Sequence, residues 1–266
     1  MDPLSNVEGR QPYHRGRVAF FGGSFDPPHL GHLGVARAAR EALGLDTVLF
    51  APVGTQPLKP NGLVASFEDR LAMTRLAIAA EPGFALSLAD APRPSGDPNY
   101  TLETLLALRA ELPLQSALFC LMGADSFAGF NRWHRAAEIP FVAPLIVASR
   151  PGQLLRNLDS ALPNGLTLVG QGFSPDTHSM NEAGALAPEV CVSEIETELR
   201  RYVLRNPAGQ QAPFYLLPGL HIEISASDIR EQIRLSEPSP AAAQQPDHTL
   251  LPPPVLDYIR AHRLYR

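Results

Sequence analysis

Alternation constrains this 266-residue chain more than any other feature: short apolar runs take turns with stretches whose apolar residues recur at helical spacing. The runs are Val18-Ala19-Phe20-Phe21, Thr47-Val48-Leu49-Phe50, Phe84-Ala85-Leu86-Ser87-Leu88, Ala117-Leu118-Phe119-Cys120-Leu121-Met122 and Leu145-Ile146-Val147-Ala148. Between them the pattern predicts helices over 30–43, over 67–80 behind a Ser66 N-cap with Asp69 three residues on, over 101–112 and around 126–137. Strands joined through helices need right-handed crossovers, and so a parallel sheet. Ligands of such sheets bind beyond the C-terminal strand ends. The loops after Phe21, Phe50, Leu88, Met122 and Ala148 should therefore share one rim, which gathers His29, His32, Lys59, Asp125 and Arg150.

The first of these turns is the richest in chemistry: Gly22-Gly23-Ser24-Phe25-Asp26-Pro27-Pro28-His29-Leu30-Gly31-His32. Its two glycines let the backbone approach a ligand closely. The helix that follows starts with unpaired N–H groups and a partial positive charge, which suit a phosphate. His29 and His32 stand three residues apart and share one face at that helix start. Two imidazoles at an anion-binding helix end point to phosphate chemistry; ordinary turn histidines are the alternative. Asp26 reads equally as an Asp-Pro turn residue or a ligand contact.

Past residue 152 the pattern loosens. Residues 153–213 carry Gly, Pro, Asn and Ser and read as an insert, either an oligomer contact or a lid. Within them Val192, Ile195, Leu199 and Tyr202 predict one amphipathic helix near 189–205. Arg200, Arg201 and Arg205 are open to an anion or to a solvated helix face. Strands are expected over 214–217 and 221–224, a helix from Ser225 onward, a Pro/Ala/Gln linker over 236–250, and a terminal helix over 253–262 with Val255, Ile259 and Leu264 packing back. Residues 1–16 read as a flexible polar tail ahead of one domain over 17–266. The expected fold class is α/β: a Rossmann-like doubly wound parallel sheet with helices on both faces and a C-terminal helical portion.

Composition excludes several classes. A net charge of −5 and the lack of basic aromatic stripes argue against a nucleic-acid binder. No apolar run approaches the ~18–20 residues of a membrane span, and the N-terminus lacks a signal-peptide core. Two distant cysteines, Cys120 and Cys191, form no disulfide framework, so a reducing cytoplasm is the simple reading. Cys120 should pack as a small hydrophobe.

The first turn resembles the Gly-Gly-x-Phe-Asp-Pro-x-His-x-Gly-His signature of the nucleotidylyltransferase superfamily, and the chain looks most like the bacterial nicotinate-nucleotide adenylyltransferases. Further pieces stand in the order of that family: the Pro-rich loop ending in Lys59, then Asn99-Tyr100-Thr101-Leu102-Glu103-Thr104-Leu105, Gly123-Ala124-Asp125-Ser126 with Trp133 downstream, Arg150-Pro151-Gly152, Ile224-Ser225-Ala226-Ser227-Asp228-Ile229-Arg230, and Pro254-Val255-Leu256-Asp257-Tyr258-Ile259. The resemblance covers 17–152 and 214–266. Two departures are visible: Leu58-Lys59 where relatives often carry His-Lys, and Ser227 where they often carry Thr.

The resemblance implies transfer of AMP from ATP to nicotinate mononucleotide by direct phosphate attack, in NAD synthesis. It assigns Gly22, Gly23, Ser24, Phe25, His29, His32, Ser225, Ser227 and Arg230 to ATP, with His29, His32 and Arg230 as the catalytic group and His32 nearest the α-phosphate. It assigns Lys59, Tyr100, Thr101, Asp125, Trp133 and Arg150 to the pyridine nucleotide. Each has a plainer alternative: an N-cap with a solvated arginine at 225–230, a surface lysine at 59, helix caps at Asp125 and Thr101, and a core or interface tryptophan at 133. Mg²⁺ is implied through the ATP phosphates, with no protein ligands named. The amide nucleotide or another phosphorylated acceptor is the runner-up substrate, a catalytically silent nucleotide-binding regulator is the other class, and a homo-oligomer is left open.

Overall fold

The computed structural model describes residues 16–55, 63–148, 158–171, 199–217, 225–235 and 250–266. Its strands and helices follow in the order β1 (Arg17–Gly23), α1 (Leu30–Leu43), β2 (Thr47–Pro52), α2 (Phe67–Ile78), β3 (Phe84–Leu86), α3 (Thr101–Glu111), β4 (Ala117–Gly123), α4 (Ala124–Ala128), α5 (Ile139–Val142) and β5 (Leu145–Ala148). There follow α6 (Leu158–Ala161), β6 (Thr167–Gln171), β7 (Arg200–Arg205), β8 (Gln211–Leu217), α7 (Ala226–Leu235) and α8 (Pro253–His262). All eight strands form one sheet in the order β3-β2-β1-β4-β5-β8-β7-β6.

The chain builds outward from β1 through β2 to β3, then returns to lay β4 against the other edge of β1. That reversal opens a crevice beyond the carboxyl ends of β1 and β4, where doubly wound sheets bind ligands. Strand pleating sends neighbouring residues to opposite faces. Phe20, Leu49, Cys120 and Val147 meet Leu105 and Leu108 of α3 and Phe130 in one core, whereas Phe21, Phe50, Leu121 and Ile146 meet Leu33 of α1, Met73 of α2 and Val255 and Ile259 of α8 in the other. Helices cover both faces as the alternation requires, and Cys120 is a buried core residue whose thiol burial pushes up to about 12.

The expected parallel sheet is present and is extended on one side. β8 pairs parallel with β5, but β7 and β6 are antiparallel additions. They occupy the segment expected as an irregular insert, so residues 200–205 of the expected amphipathic helix are a strand; residues 189–198 lie outside the described part. In β7 Tyr202 and Leu204 are buried while Arg205 is exposed, a two-residue period that pairing with β8 enforces. Arg201 lies over the Tyr215 ring at 5.7 Å.

The expected helix around 126–137 is also broken. After α4 the chain makes two 3-10 turns, Phe130–Arg132 and Ala136–Glu138, and Arg135 between them has φ 51°, which an α-helix cannot absorb. The 84–88 strand stops at Leu86. Residues 1–15 of the expected 1–16 tail, the 221–224 strand, residues 236–249 of the expected 236–250 linker and Cys191 lie outside the described residues.

Candidate active site

The crevice holds a cavity of about 710 Å³, well within the ~300–1,000 Å³ of small-molecule sites. Its lining contains every site residue expected from the sequence except Lys59 and Arg150, which lie outside the described part, and Ser227, which stands at its edge beside Arg230.

β1 delivers the chain to the cavity at Gly22 and Gly23. A Cβ on Gly22 would stand 2.7 Å from the Phe20 ring, and one on Gly23 3.1 Å from the Phe25 ring. The glycines thus make room for aromatic rings beneath the turn as well as lining the cavity. Phe25 adopts φ 46°, a left-handed conformation that costs a non-glycine residue ~1 kcal/mol or more. Burial holds it there: its ring packs edge-on to Phe21 at 5.6 Å and against Phe50 at 5.6 Å. The same ring supports the His32 imidazole at 4.9 Å.

His29 is the N-cap of α1, and its ring stacks on that of His32 with centroids 3.7 Å apart. The His29 backbone N–H donates to His32 Nδ1 at 3.2 Å. In neutral imidazole an accepting Nδ1 leaves the proton on Nε2, so His32 keeps a donor on its other nitrogen. Burial lowers the His29 pKa to about 4, so at neutral pH His29 acts as an uncharged hydrogen-bonding group and adds no cation. Its Nδ1 is buried with no partner among the described residues.

At the second helix start, Ser225 Oγ accepts the Ser227 N–H at 3.2 Å and so caps α7. Arg230 is not a solvated arginine. Its Nη1 donates to the Asp26 carbonyl at 2.7 Å and its Nη2 to Ser227 Oγ at 3.1 Å. The Arg230 side chain thus ties α7 to the turn that precedes α1. The Asp26 carboxylate is buried and serves as a structural hub: it accepts from Val64 N–H, Ala65 N–H and Tyr265 O–H at 2.7, 3.1 and 2.7 Å.

The opposite wall carries the residues expected for the pyridine. Tyr100, at the N-cap position of α3, makes no side-chain cap bond, and Thr101 is the first helical residue, so the capping alternative for Thr101 does not hold. Asp125 lies in the first turn of α4 behind an N-cap at Gly123, so it is no cap either. Trp133 is half-buried, its ring edge-on to Phe130 at 5.5 Å, and it lines the cavity at the border of the core.

Sequence reasoning missed several residues. Asn99 joins three loops: its Oδ1 accepts the Thr55 N–H at 3.1 Å and its Nδ2 donates to the Ala91 carbonyl at 3.0 Å, fixing the segment that carries Tyr100. Asp90 is buried and accepts from Thr104 Oγ1 at 2.7 Å; burial raises its pKa. His134 lies against the Tyr100 ring at 4.3 Å. Arg70, only 1% exposed, donates to the carbonyls of Ser24 (2.7 Å) and Val53 (2.8 Å), one from each substrate-side loop. A signal for it existed: Arg70 shares the helical stripe of Met73, Thr74, Ala77 and Ile78, where a charge is out of place unless paired.

Comparison with known proteins agrees with this geometry. A cytidylyltransferase-like family model matches residues 20–232. Relatives bearing the name "probable nicotinate-nucleotide adenylyltransferase" include one from Trichlorobacter lovleyi, 36% identical over 250 residues covering 94% of this chain and 99% of its own length. One from Stenotrophomonas maltophilia is 37% identical over 256 residues, covering 93% and 96% respectively. The structure of Plasmodium falciparum nicotinic acid mononucleotide adenylyltransferase complexed with NaAD superposes with a TM-score of 0.60 over 95% of this chain and 98% of that one; at 15% identity it supports the fold. The sequence matches and the fold agree: this chain belongs to the nicotinate-nucleotide adenylyltransferases, a family of nucleotidyltransferases.

Proposed function

We propose that this chain transfers AMP from ATP to nicotinate mononucleotide, giving nicotinate adenine dinucleotide and pyrophosphate. The observation that carries the reading is the bond from Arg230 of α7 to the Asp26 carbonyl, which brings that guanidinium to the turn carrying His29 and His32 at the mouth of the β1/β4 crevice. An oxygen of the mononucleotide phosphate bonds to the α-phosphorus, and the bridging α–β P–O bond breaks, its electrons leaving with pyrophosphate. The nucleophile is already an anion, so no base is needed. The protein aligns the two phosphates and stabilises charge growing on the triphosphate.

On this reading the turn at Gly22, Gly23, Ser24 and Phe25, with His29, His32, Ser225, Ser227 and Arg230, holds the triphosphate, and His32 Nε2–H serves the reacting phosphate. Tyr100, Thr101, Asp125 and Trp133 take the pyridine nucleotide, and the N–H groups at the start of α3 suit a carboxylate on the ring. Lys59 and Arg150 belong to the same proposal on sequence grounds. Mg²⁺ is proposed to arrive on the phosphate oxygens of ATP. Among the described residues no cluster of three or more His, Cys, Asp or Glu side chains is placed to cage a metal, and no step is routed through one. A reducing cytoplasm fits a buried, unpaired Cys120.

Pyrophosphate release with ATP plus either the acid or the amide mononucleotide tests the reading. Faster turnover of the acid is expected. Equal or faster turnover of the amide reassigns the acceptor, and ATP binding without turnover of either makes the chain a binding protein.

A further inference from the structure

The segment after α8 makes a contact that the chemistry above does not require. α8 ends at Arg263 in the left-handed region (φ 54°), with Leu264 N–H bonded back to the Ile259 carbonyl at 3.1 Å. Tyr265 then takes φ 64°. Two non-glycine residues so close together at positive φ store strain, which persists only where tertiary contacts over-determine it. The contacts are visible. Leu264 packs on the α1/α2 core, Tyr265 is buried, and its hydroxyl donates to Asp26 Oδ1 at 2.7 Å. α8 itself is pinned to α2 by Tyr258 O–H donating to Asp69 Oδ1 at 3.0 Å. Burial and the adjacent carboxylate hold the Tyr265 phenol well above its ordinary pKa, so it stays a donor.

Asp26 ties α7 to the turn that leads into α1. Its carbonyl receives Arg230, and its peptide leads into the turn that ends at His29. Without the Tyr265 hydroxyl, the donors left to the Asp26 carboxylate among the described residues come from one edge alone, Val64 N–H on Oδ2 at 2.7 Å and Ala65 N–H on Oδ1 at 3.1 Å. The residue can then tilt, and its carbonyl moves with it. We propose that Tyr265 is a positioning residue for the triphosphate: by fixing Asp26 it sets where the Arg230 guanidinium stands relative to the α1 N-terminus. This rests on the ATP-side reading of Arg230 given above.

The test is a double-mutant cycle between Tyr265→Phe and Arg230→Lys, read as ATP affinity by calorimetry and as KM and kcat for both substrates. Tyr265→Phe keeps the ring and its packing, so the fold survives; circular dichroism and the melting temperature check this. The expected result is an ATP affinity reduced ~5–10-fold, a KM for the mononucleotide within about twofold of the parent, and a double variant no weaker than Arg230→Lys alone, because removing either end of one linkage breaks it. Additive losses, or an unchanged ATP affinity with only a lower melting temperature, would reduce Tyr265 to a stabilising contact and overturn the proposal. Should the parent protein bind ATP but turn over neither mononucleotide, the functional reading fails while the affinity cycle still decides the role of Tyr265.

Discussion

At Asp26 a buried carboxylate and its carbonyl gather four chain segments through hydrogen bonds of 2.7 to 3.1 Å, whereas across the cavity the aromatic groups are held chiefly by ring contacts: Trp133 against Phe130 at 5.5 Å, His134 against Tyr100 at 4.3 Å. Hydrogen bonds fix direction as well as distance. Ring contacts tolerate sliding, and Trp133 and Tyr100 are only half-buried. The Asp26 wall, proposed for the phosphates, is therefore built in advance, and the aromatic wall, proposed for the pyridine, can adapt to what slots between its members. Perturbing the first wall should damage rate or stability, and perturbing the second should mainly change the apparent affinity for one substrate.

The largest contrast is expected at His32. His32→Ala removes one preorganised donor while leaving the Phe21–Phe25–Phe50 cluster in place, so turnover should fall ~10²–10³-fold with little change in melting temperature. Near-parental turnover would remove His32 from the reaction. Next comes Arg70. Arg70→Met strands two buried carbonyls, at Ser24 and Val53, and should lower unfolding stability by about 3 kcal/mol in urea titrations. Just past the opposite wall, two residues after Trp133, Arg135→Ala breaks an exposed pair with Glu138, and its denaturation midpoint should not move measurably. Equal losses for the two arginines would erase the distinction between the walls.

A third effect, one of pH, belongs to His29 of the Asp26 wall. His29 titrates near 4 in the fold against about 6.5 unfolded, so the unfolded chain takes up a proton first as pH falls. Its contribution to stability is complete above about pH 6.5 and is lost as pH drops toward 4, amounting to ~2–3 kcal/mol across that window. Urea midpoints of the parent should fall more steeply between pH 6.5 and 4 than those of His29→Gln. Parallel curves would mean that burial does not hold His29 neutral.

The two walls also differ in what could be read from the chain. His29, His32, Ser225 and Arg230, proposed for the phosphates, were legible because they sit in short local motifs at helix starts, although the bond from Arg230 to Asp26 spans 204 positions. Asp26 was ambiguous because its decisive partner, Tyr265, stands 239 positions away, and no spacing rule reaches that far. Helix limits at 30–43 and 253–262 were legible because Gly44 and Pro253 mark the ends chemically. Residues 200–205 were misread because Leu199 and Tyr202 also fit a helical period, and only the pairing with β8 selects the strand. Around Trp133 the failure was different: Arg135 at positive φ is unusual for its residue type, so nothing local announced the break.

That break bears on the last of the expected effects on the substrates. Because two 3-10 turns rather than one helix carry Trp133, its indole hangs from a short segment anchored at one end by Phe130 and at the other by buried Ala136 and Ile139. Trp133→Ala removes a stacking surface without opening the central core, so the KM for the pyridine mononucleotide should rise ~10-fold, equivalent to about 1.4 kcal/mol. Turnover at saturation and the KM for ATP should stay within about twofold, because no hydrogen bond of the Asp26 wall passes through the indole. Trp133→Phe, which keeps an aromatic face, should recover most of the affinity. If instead both substrates lost affinity together, the two walls would be mechanically coupled, and the adaptable wall would be as much a part of the phosphate alignment as Asp26.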